Sequence, residues 1–267
     1  MNNFAGVYES KKKDGTVYYR ASITFQGRHV SLGSFSFPQD AEHAYWEATA
    51  ILREKKYSIE DIHPQFLSFE KAIILLNFRD NGLYFSVPIY MYSNFFHYYL
   101  TPDYILTFDI DDLFYYSRHK IMRRGGHLFV SDFGMQENIL NRYKIRNFAV
   151  AGRDYRFRNG DPTDFRYSNV EVINRYYGVL QIHKRGIVKY KVKIHVNGDY
   201  IVGTYSTEEK AAIAYNKAVD LLRSNGFTKN YPVNYLENIS PRTYAEIYSK
   251  IKISEKLSSL VIHKGNA

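Results

Sequence analysis

KYKVKIHVNGDYIVGTY, residues 189–205, is the stretch from which the fold is read. In its first half Tyr190, Val192, Ile194 and Val196 fall on one side, while Lys189, Lys191, Lys193 and His195 fall on the other. That period of two belongs to a strand with one buried and one solvated face. The turn residues Asn197 and Gly198 then lead into a second strand, and GVLQI (178–182) with a turn at HKRG supplies one before it. Downstream, Ala211, Ala214, Tyr215 and Ala218 recur at helical spacing, and small alanines let a helix lie close on a sheet. Ser206 or Thr207 suits the N-cap, with Glu208 and Glu209 in the first turn. Three short strands and one amphipathic helix follow from these patterns.

The same order occurs earlier in the chain. GVYES (6–10), a turn at KKKDG, YYRASITF (18–25), QGR, HVSLGSF (29–35) and PQDAEHAYWEATAILRE (38–54) repeat it, with Pro38 placed for a first helical turn. The solvent face of this copy is expected to carry Tyr8, Ser10 and Lys12, then Tyr18, Arg20, Ser22 and Thr24, then His29 and Ser31. A three-stranded sheet backed by a helix, with cations on its open face, has the dimensions to enter the major groove of DNA.

Both copies resemble the Apetala/ethylene-response-factor DNA-binding domain. The resemblance rests on the GV start, the Tyr-x-Ala/Val-x-Ile strand, the LGSF or VGTY strand end and the A-x-x-A-Y-x-x-A helix (Ala41, Ala44, Tyr45, Ala48; Ala211, Ala214, Tyr215, Ala218). It implies duplex DNA as partner. The Arg and Trp with which that family reads bases are replaced here by Tyr8, Ser10, Ser22, Thr24, His29 and Ser31 in copy one. Copy two has Leu180, Ile182, Lys193, His195, Asp199 and Ile201 instead. Exposed Leu180, Ile182 and Ile201 would suit thymine methyls or a protein partner.

Residues 105–174 lie between the copies and resemble an HNH homing nuclease of phage type. The resemblance is carried by FDIDDLFYYS, the hairpin around RRGGHLFV, the LNR tripeptide and NGDPTD...R.SNVEVIN. That chemistry needs a histidine base and a divalent metal on a ββα frame. Aligned on NGD, the family's Asp-His pair falls on Arg156 and Phe157, the asparagine of its Asp-Asn-Arg on Phe165, and the histidine of its Leu-His-Arg on Asn141; only Asn169 remains of the polar set. Phenylalanine neither accepts a proton nor ligates metal, so the resemblance implies a frame without cleavage and without a metal or other cofactor. Gly160 and Asp161 suit the turn, Asp164 is expected to cap a following helix, and Arg153, Arg156, Arg158 and Arg166 to contact phosphates. A rival acid cluster, Asp109, Asp111 and Asp112 with His119 and His127, has no calcium-loop spacing; Asp111 and Asp112 are expected to cap the helix LFYYSR.

Composition agrees with a folded, basic chain. Its 267 residues are 45% hydrophobic and 17% aromatic, with 26 tyrosines, and Lys plus Arg exceed Asp plus Glu by 36 to 27, a net charge of +9. Such a balance favours polyanionic partners. There is no cysteine, which excludes disulfides and thiolate zinc sites. Apolar runs such as AIILL (72–76) are too short to span a bilayer, and MNNFAGVYESKKKDG lacks a signal-peptide core. No Gly-rich phosphate loop or nucleophile elbow occurs. Residues 51–104 read as a helix at FEKAIILL and strands through YFSVPIYMY and FFHYYL; after Pro241 one helix, TYAEIYSKIKISEKLSSL, is expected to dock on the second copy.

The sequence thus predicts an α+β chain in four segments: a first module (1–58), a central domain with a degenerate HNH frame (59–174), a second module (175–240) and a C-terminal helix (241–267). The binding residues expected are Tyr8, Lys11, Lys12, Arg20, Arg28 and His29, then Arg153, Arg156 and Arg158, then Lys184, Lys189, Lys191, Lys193 and His195. The function expected is non-catalytic binding of double-stranded DNA, in a protein of phage or mobile-element origin working in the bacterial cytoplasm. The alternative is a phage inhibitor that binds a host defence nucleoprotein, such as a CRISPR effector, through its basic and aromatic faces.

Overall fold

The computed structural model describes residues 5–260; residues 1–4 and 261–267, the ends of the first and last expected segments, lie outside the described residues. The class is α+β, built on small antiparallel sheets. Contacts group the chain into two compact units, Met1–Ile139 with Asp161–Asn169, and Leu140–Gly160 with Val170–Ala267. This grouping is coarser than the four segments and divides the central one.

The first unit opens with β1 (Val7–Lys11), β2 (Val17–Phe25) and β3 (Arg28–Phe35), paired in that order. Helix α1 (Pro38–Arg53) starts on Pro38, has Asp40 in its first turn and Arg53 in its last, and presses fully buried Ala41, Ala44 and Ala48 onto the sheet. Gly6, at φ +66°, stands just before β1, where a Cβ would overlap the Tyr45 ring. Its carbonyl accepts the Ser22 N–H at 2.9 Å, at the bulge where β2 and β3 slip register between Ala21 and Ser22. Ser22, expected on the solvent face, is therefore only 8% exposed: the bond to Gly6 places it in the cleft beside Tyr45.

Helix α2 (Phe69–Asn81) is capped by the Ser68 hydroxyl, which accepts the Lys71 N–H, and ends on Gly82 at φ 69°. Its apolar residues share one core with α1, so the first repeat is not an isolated module. Two side chains hold the connection between them. The Glu47 carboxylate accepts the N–H groups of Gln65, Phe66 and Leu67, while Arg79 donates to the carbonyls of Ile51, Glu54 and Tyr57.

A second sheet, β4 (Ile89–Met91), β5 (Phe95–Thr101) and β6 (Tyr104–Asp109), carries buried Phe96, Tyr98, Leu106 and Phe108, as the dense aromatic sequence requires. A 3-10 turn, Ile110–Asp112, leads to α3 (Leu113–Arg118), whose Tyr116 ring lies 4.3 Å from that of Phe108. A third sheet follows: β7 (Ile121–Arg124), β8 (His127–Asp132) and β9 (Met135–Asn138).

Residues 161–169 complete this unit. Thr107 donates to the Thr163 carbonyl and accepts from the Phe165 N–H, which lays the segment on the edge of β6. Phe165 is buried and stacks on Phe108 at 5.5 Å. No helix follows Asp164, contrary to the sequence expectation. Its buried carboxylate instead accepts from the backbone and guanidinium of Arg166, and the chain beyond makes a single turn, closed by the Asn169 N–H on the Arg166 carbonyl, before β11.

The second unit contains β10 (Tyr155–Phe157) paired with β11 (Val170–Val172), then β12 (Val179–Lys184), β13 (Ile187–His195) and β14 (Asp199–Tyr205), backed by α4 (Glu208–Ser224). The Thr207 hydroxyl caps α4 by accepting the Lys210 N–H. The repeat holds at the level of single contacts. Gly178, at φ +69°, faces Tyr215, its carbonyl accepts the Lys193 N–H at 2.8 Å, and the register slips between Val192 and Lys193.

The expected single C-terminal helix is two, α5 (Pro241–Lys250) and α6 (Glu255–Ser258). Lys217 Nζ donates to the carbonyls of Tyr248 and Ile251, both at 2.7 Å, which satisfies the end of α5 and turns the chain into extended Ile251. Ser254 Oγ then bonds the Ile201 carbonyl at the edge of β14, and fully buried Leu257 joins the core of the second repeat. Among the described residues no helix is long and apolar enough to cross a membrane.

Gly178→Ala is expected to destabilise the second unit by about 2–4 kcal/mol, because the methyl meets the Tyr215 ring and the Lys193 carbonyl at a positive φ. Gly186→Ala, also at positive φ but with open space around it, should cost only about 1 kcal/mol. Amide exchange in β13 and α4 separates the two; equal losses would remove the role given to the Gly178–Tyr215 contact.

Candidate nucleic-acid interface

Each repeat turns one sheet face to α1 or α4 and the other to solvent. In the first, cross-strand register aligns Tyr8 with Arg20 and Ser34, Ser10 with Tyr18, and Thr24 with His29. Tyr8 is 58% exposed. Arg20 donates to the Tyr18 hydroxyl at 2.7 Å with its guanidinium over that ring, so the guanidinium on this face is already oriented. Lys11, Lys12 and His29 are exposed near the strand ends. Arg28, also exposed, lies 4.2 Å over the Tyr84 ring.

In the second repeat Val192 and Ile194 are buried, and Lys189, Lys191 and Lys193 take the opposite face. The lysines are half-buried. Lys191 pairs across the strands with Leu180 and Lys189 with Ile182; Leu180 and Ile182, expected to be exposed, are half-buried too, because neighbouring lysine stems lie beside them. Ile201 remains 49% exposed. At one end Asp199 meets His195 at 3.0 Å and Lys193 at 3.5 Å; the hydrogen bond from His195, then the Lys193 charge, hold the Asp199 carboxyl below its usual range. Among the described residues no carboxylate forms an ion pair with Lys189 or Lys191, and Lys184 is exposed at the end of β12.

The arginines of the interrupted frame meet the chain's own carboxylates. Arg156 and Arg158 both reach Glu171, at 2.9 and 3.3 Å, from β10 and its turn across to β11. Both keep about 60% exposure, so a phosphate that approached them would compete with Glu171. Arg153 is held by Asp154, which is the hub of this region: its fully buried carboxylate accepts from Arg146, Arg153, the Val150 N–H and Asn174. Burial alone would raise the Asp154 pKa. The bonds from Arg153 and Val150 and the Arg146 charge outweigh it and hold the group below its usual value.

The positions aligned with nuclease chemistry divide between the units. Asn141, Arg156 and Phe157 belong to the second, where Asn141 sits half-buried on a 3-10 turn and Phe157 pairs with Val170. Phe165 and Asn169 belong to the first; Asn169, buried, donates to the Asp164 carbonyl. In the rival acid cluster, Asp109 accepts the Tyr167 N–H at 2.6 Å, and Asp112 stands at the N-cap of α3 without a side-chain capping bond. His119 stacks on Tyr115 at 4.3 Å and faces Asp132 at 3.7 Å, and His127 is exposed. Among the described residues no three acidic or histidine groups are placed to share a metal ion.

Sequence patterns did not single out Asp154, whose partners come from separate turns, nor the 97% exposed Phe133, which sits at φ 46° in the turn before Gly134. The Asp-Phe-Gly run is a turn signal, yet phenylalanine in that conformation has no propensity to announce it. Comparisons with protein-family models, curated proteins and solved structures gave no match.

Because the Asp154 pKa is lower folded than unfolded, its stabilisation is complete above about pH 4, the unfolded value, and is lost as pH falls through the folded one. Asp154→Asn should cost the second unit about 3 kcal/mol at pH 7, and the gap from wild type should narrow below pH 4. Denaturant unfolding at several pH values checks this; a gap independent of pH would show that charge is not the cause.

Proposed function

We propose that this chain binds double-stranded DNA without cutting it, through the solvent faces of its two sheet-plus-helix repeats. One observation carries the reading: the row Lys189, Lys191 and Lys193 stands on the open face of a sheet whose other face is locked to α4 by buried Val192 and Ile194. Each lysine on such a face can neutralise one phosphate and release counterions. Tyr8, Arg20 and His29 supply the equivalent, less charged face in the first repeat, and two weak faces on one chain gain affinity through effective concentration. The HNH likeness enters as ancestry. Phe157 offers no base where the family has histidine, and Phe165 serves a buried aromatic stack where the family has asparagine.

A second reading, capture of a host defence nucleoprotein, is favoured by Phe133 and Phe148, 97% and 91% exposed at positive φ. A bulky residue at positive φ is uncommon, and such backbone strain concentrates at functional sites.

The triple variant Lys189→Ala, Lys191→Ala, Lys193→Ala should weaken duplex binding across sequences and reduce the slope of log affinity against log salt by about 0.9 for each lost contact. Ile194→Asp should unfold the repeat instead. Unchanged affinity and salt slope in the folded triple variant would reject the groove-docking reading.

Supercoiled plasmid should remain uncut with Mg²⁺ or Mn²⁺, and Phe157→His alone should not confer nicking, since Arg156 and Phe165 still occupy the other aligned positions. Metal-dependent nicking by the purified wild type, abolished by a substitution at Asp111 or His127, would overturn this.

A further inference from the structure

An open groove of about 520 Å³ lies in the first unit, lined by no residue of the first repeat, between the turn that joins β5 to β6 and the sheet of β7, β8 and β9. Its volume falls in the ~300–1,000 Å³ range of ligand clefts. The sheet's alternation puts Met122 and Phe129 on the groove side, directly opposite one another across β7 and β8. Both are half-buried, so each presents part of an apolar surface to solvent. Arg123, next to Met122 on β7, turns by the same alternation to the sheet's other side, where its guanidinium lies 4.4 Å over the Tyr104 ring at the groove's margin. Arg124 and Lys120 stand exposed on the lining, and no lining residue carries a carboxylate. Lys120 shares its charge with Glu70 at 3.1 Å; among the described residues neither Arg123 nor Arg124 forms an ion pair.

We propose that this groove binds unpaired nucleotides of a single-stranded nucleic acid. A base has two apolar faces and an edge of donors and acceptors, and its phosphate carries one negative charge. Phe129 and Met122 supply a stacking surface, and Arg124, on the same side of the sheet, the phosphate contact, with the Arg123 cation at the groove's margin. Aromatic surface lined by cations without acids is the arrangement by which proteins hold single strands with little regard to sequence. An acidic peptide would satisfy the cations and leave the stacking surface unused. A duplex, whose bases are already stacked, could reach only the charges. The site is separate from the lysine row and does not depend on the duplex reading.

The test is fluorescence anisotropy of the full chain with a labelled oligothymidine of roughly ten nucleotides and an abasic oligomer of equal length and charge. The base-bearing strand should bind about tenfold or more tightly than the abasic one. Phe129→Ala should erase that preference. Arg124→Glu, at an exposed position that leaves the fold intact, should weaken both strands and flatten the salt dependence. The Lys189, Lys191 and Lys193 triple variant should keep the preference even where it loses duplex binding. Equal affinity for the two oligomers, an undiminished preference in Phe129→Ala, or unchanged affinity and salt dependence in Arg124→Glu would overturn the proposal.

Discussion

Each repeat depends on a glycine pressed against a tyrosine. Gly6 on Tyr45 and Gly178 on Tyr215 fix where the chain enters the first strand, and their carbonyls accept the N–H at the bulge of the second strand. That one arrangement sets helix against sheet, since the alanines of α1 and α4 close on the space it leaves. It also sets the solvent face: the residue after the bulge is Ser22 in one copy and Lys193 in the other. In the first copy that position is drawn inward, and in the second a long stem brings an ammonium back to the surface. The same backbone therefore presents a polar, partly aromatic face once and a cationic one once.

Much of this frame was legible in the sequence, because it rests on periodicities and caps. Alternation located β13, alanine spacing located α1 and α4, and Pro38 and the pair Ser206 and Thr207 marked the helix starts, the cap falling on Thr207. What escaped was decided by contacts between distant residues. The break between α5 and α6 comes from Lys217, which lies in another helix and takes the carbonyls of Tyr248 and Ile251. Asp164 fits a helix cap by local pattern, but Thr107 holds it in a β-bridge through the Thr163 carbonyl and the Phe165 N–H. The burial of Ser22 follows from a bulge that no local pattern records.

The candidate site was legible as charge and less so as geometry. Lys189 and Lys191 occupy the face that alternation assigns. The arginines around 153–166 are present as expected, yet Glu171, Asp154 and Asp164 already engage them. Ion pairs of exposed side chains are weak and reversible, whereas those of Asp154 and Asp164 anchor structure. Net charge therefore overstates how many cations stand ready for a polyanion. Lys189, Lys191 and Arg124 carry more of that capacity than the frame arginines do.

The segment Asp161–Asn169 has a bearing on how the chain is made. During synthesis β6 leaves the ribosome with its outer edge unpaired and Phe108 without the Phe165 ring, and both wait while residues 110–160 are added. The hairpin of β10 and β11 cannot zip until the same segment has emerged, since it lies between the two strands. Two closures thus become possible only after one short stretch is translated. A nascent chain stalled before residue 161 would display a bare strand edge beside an aromatic core, the kind of surface on which chaperones and aggregation compete.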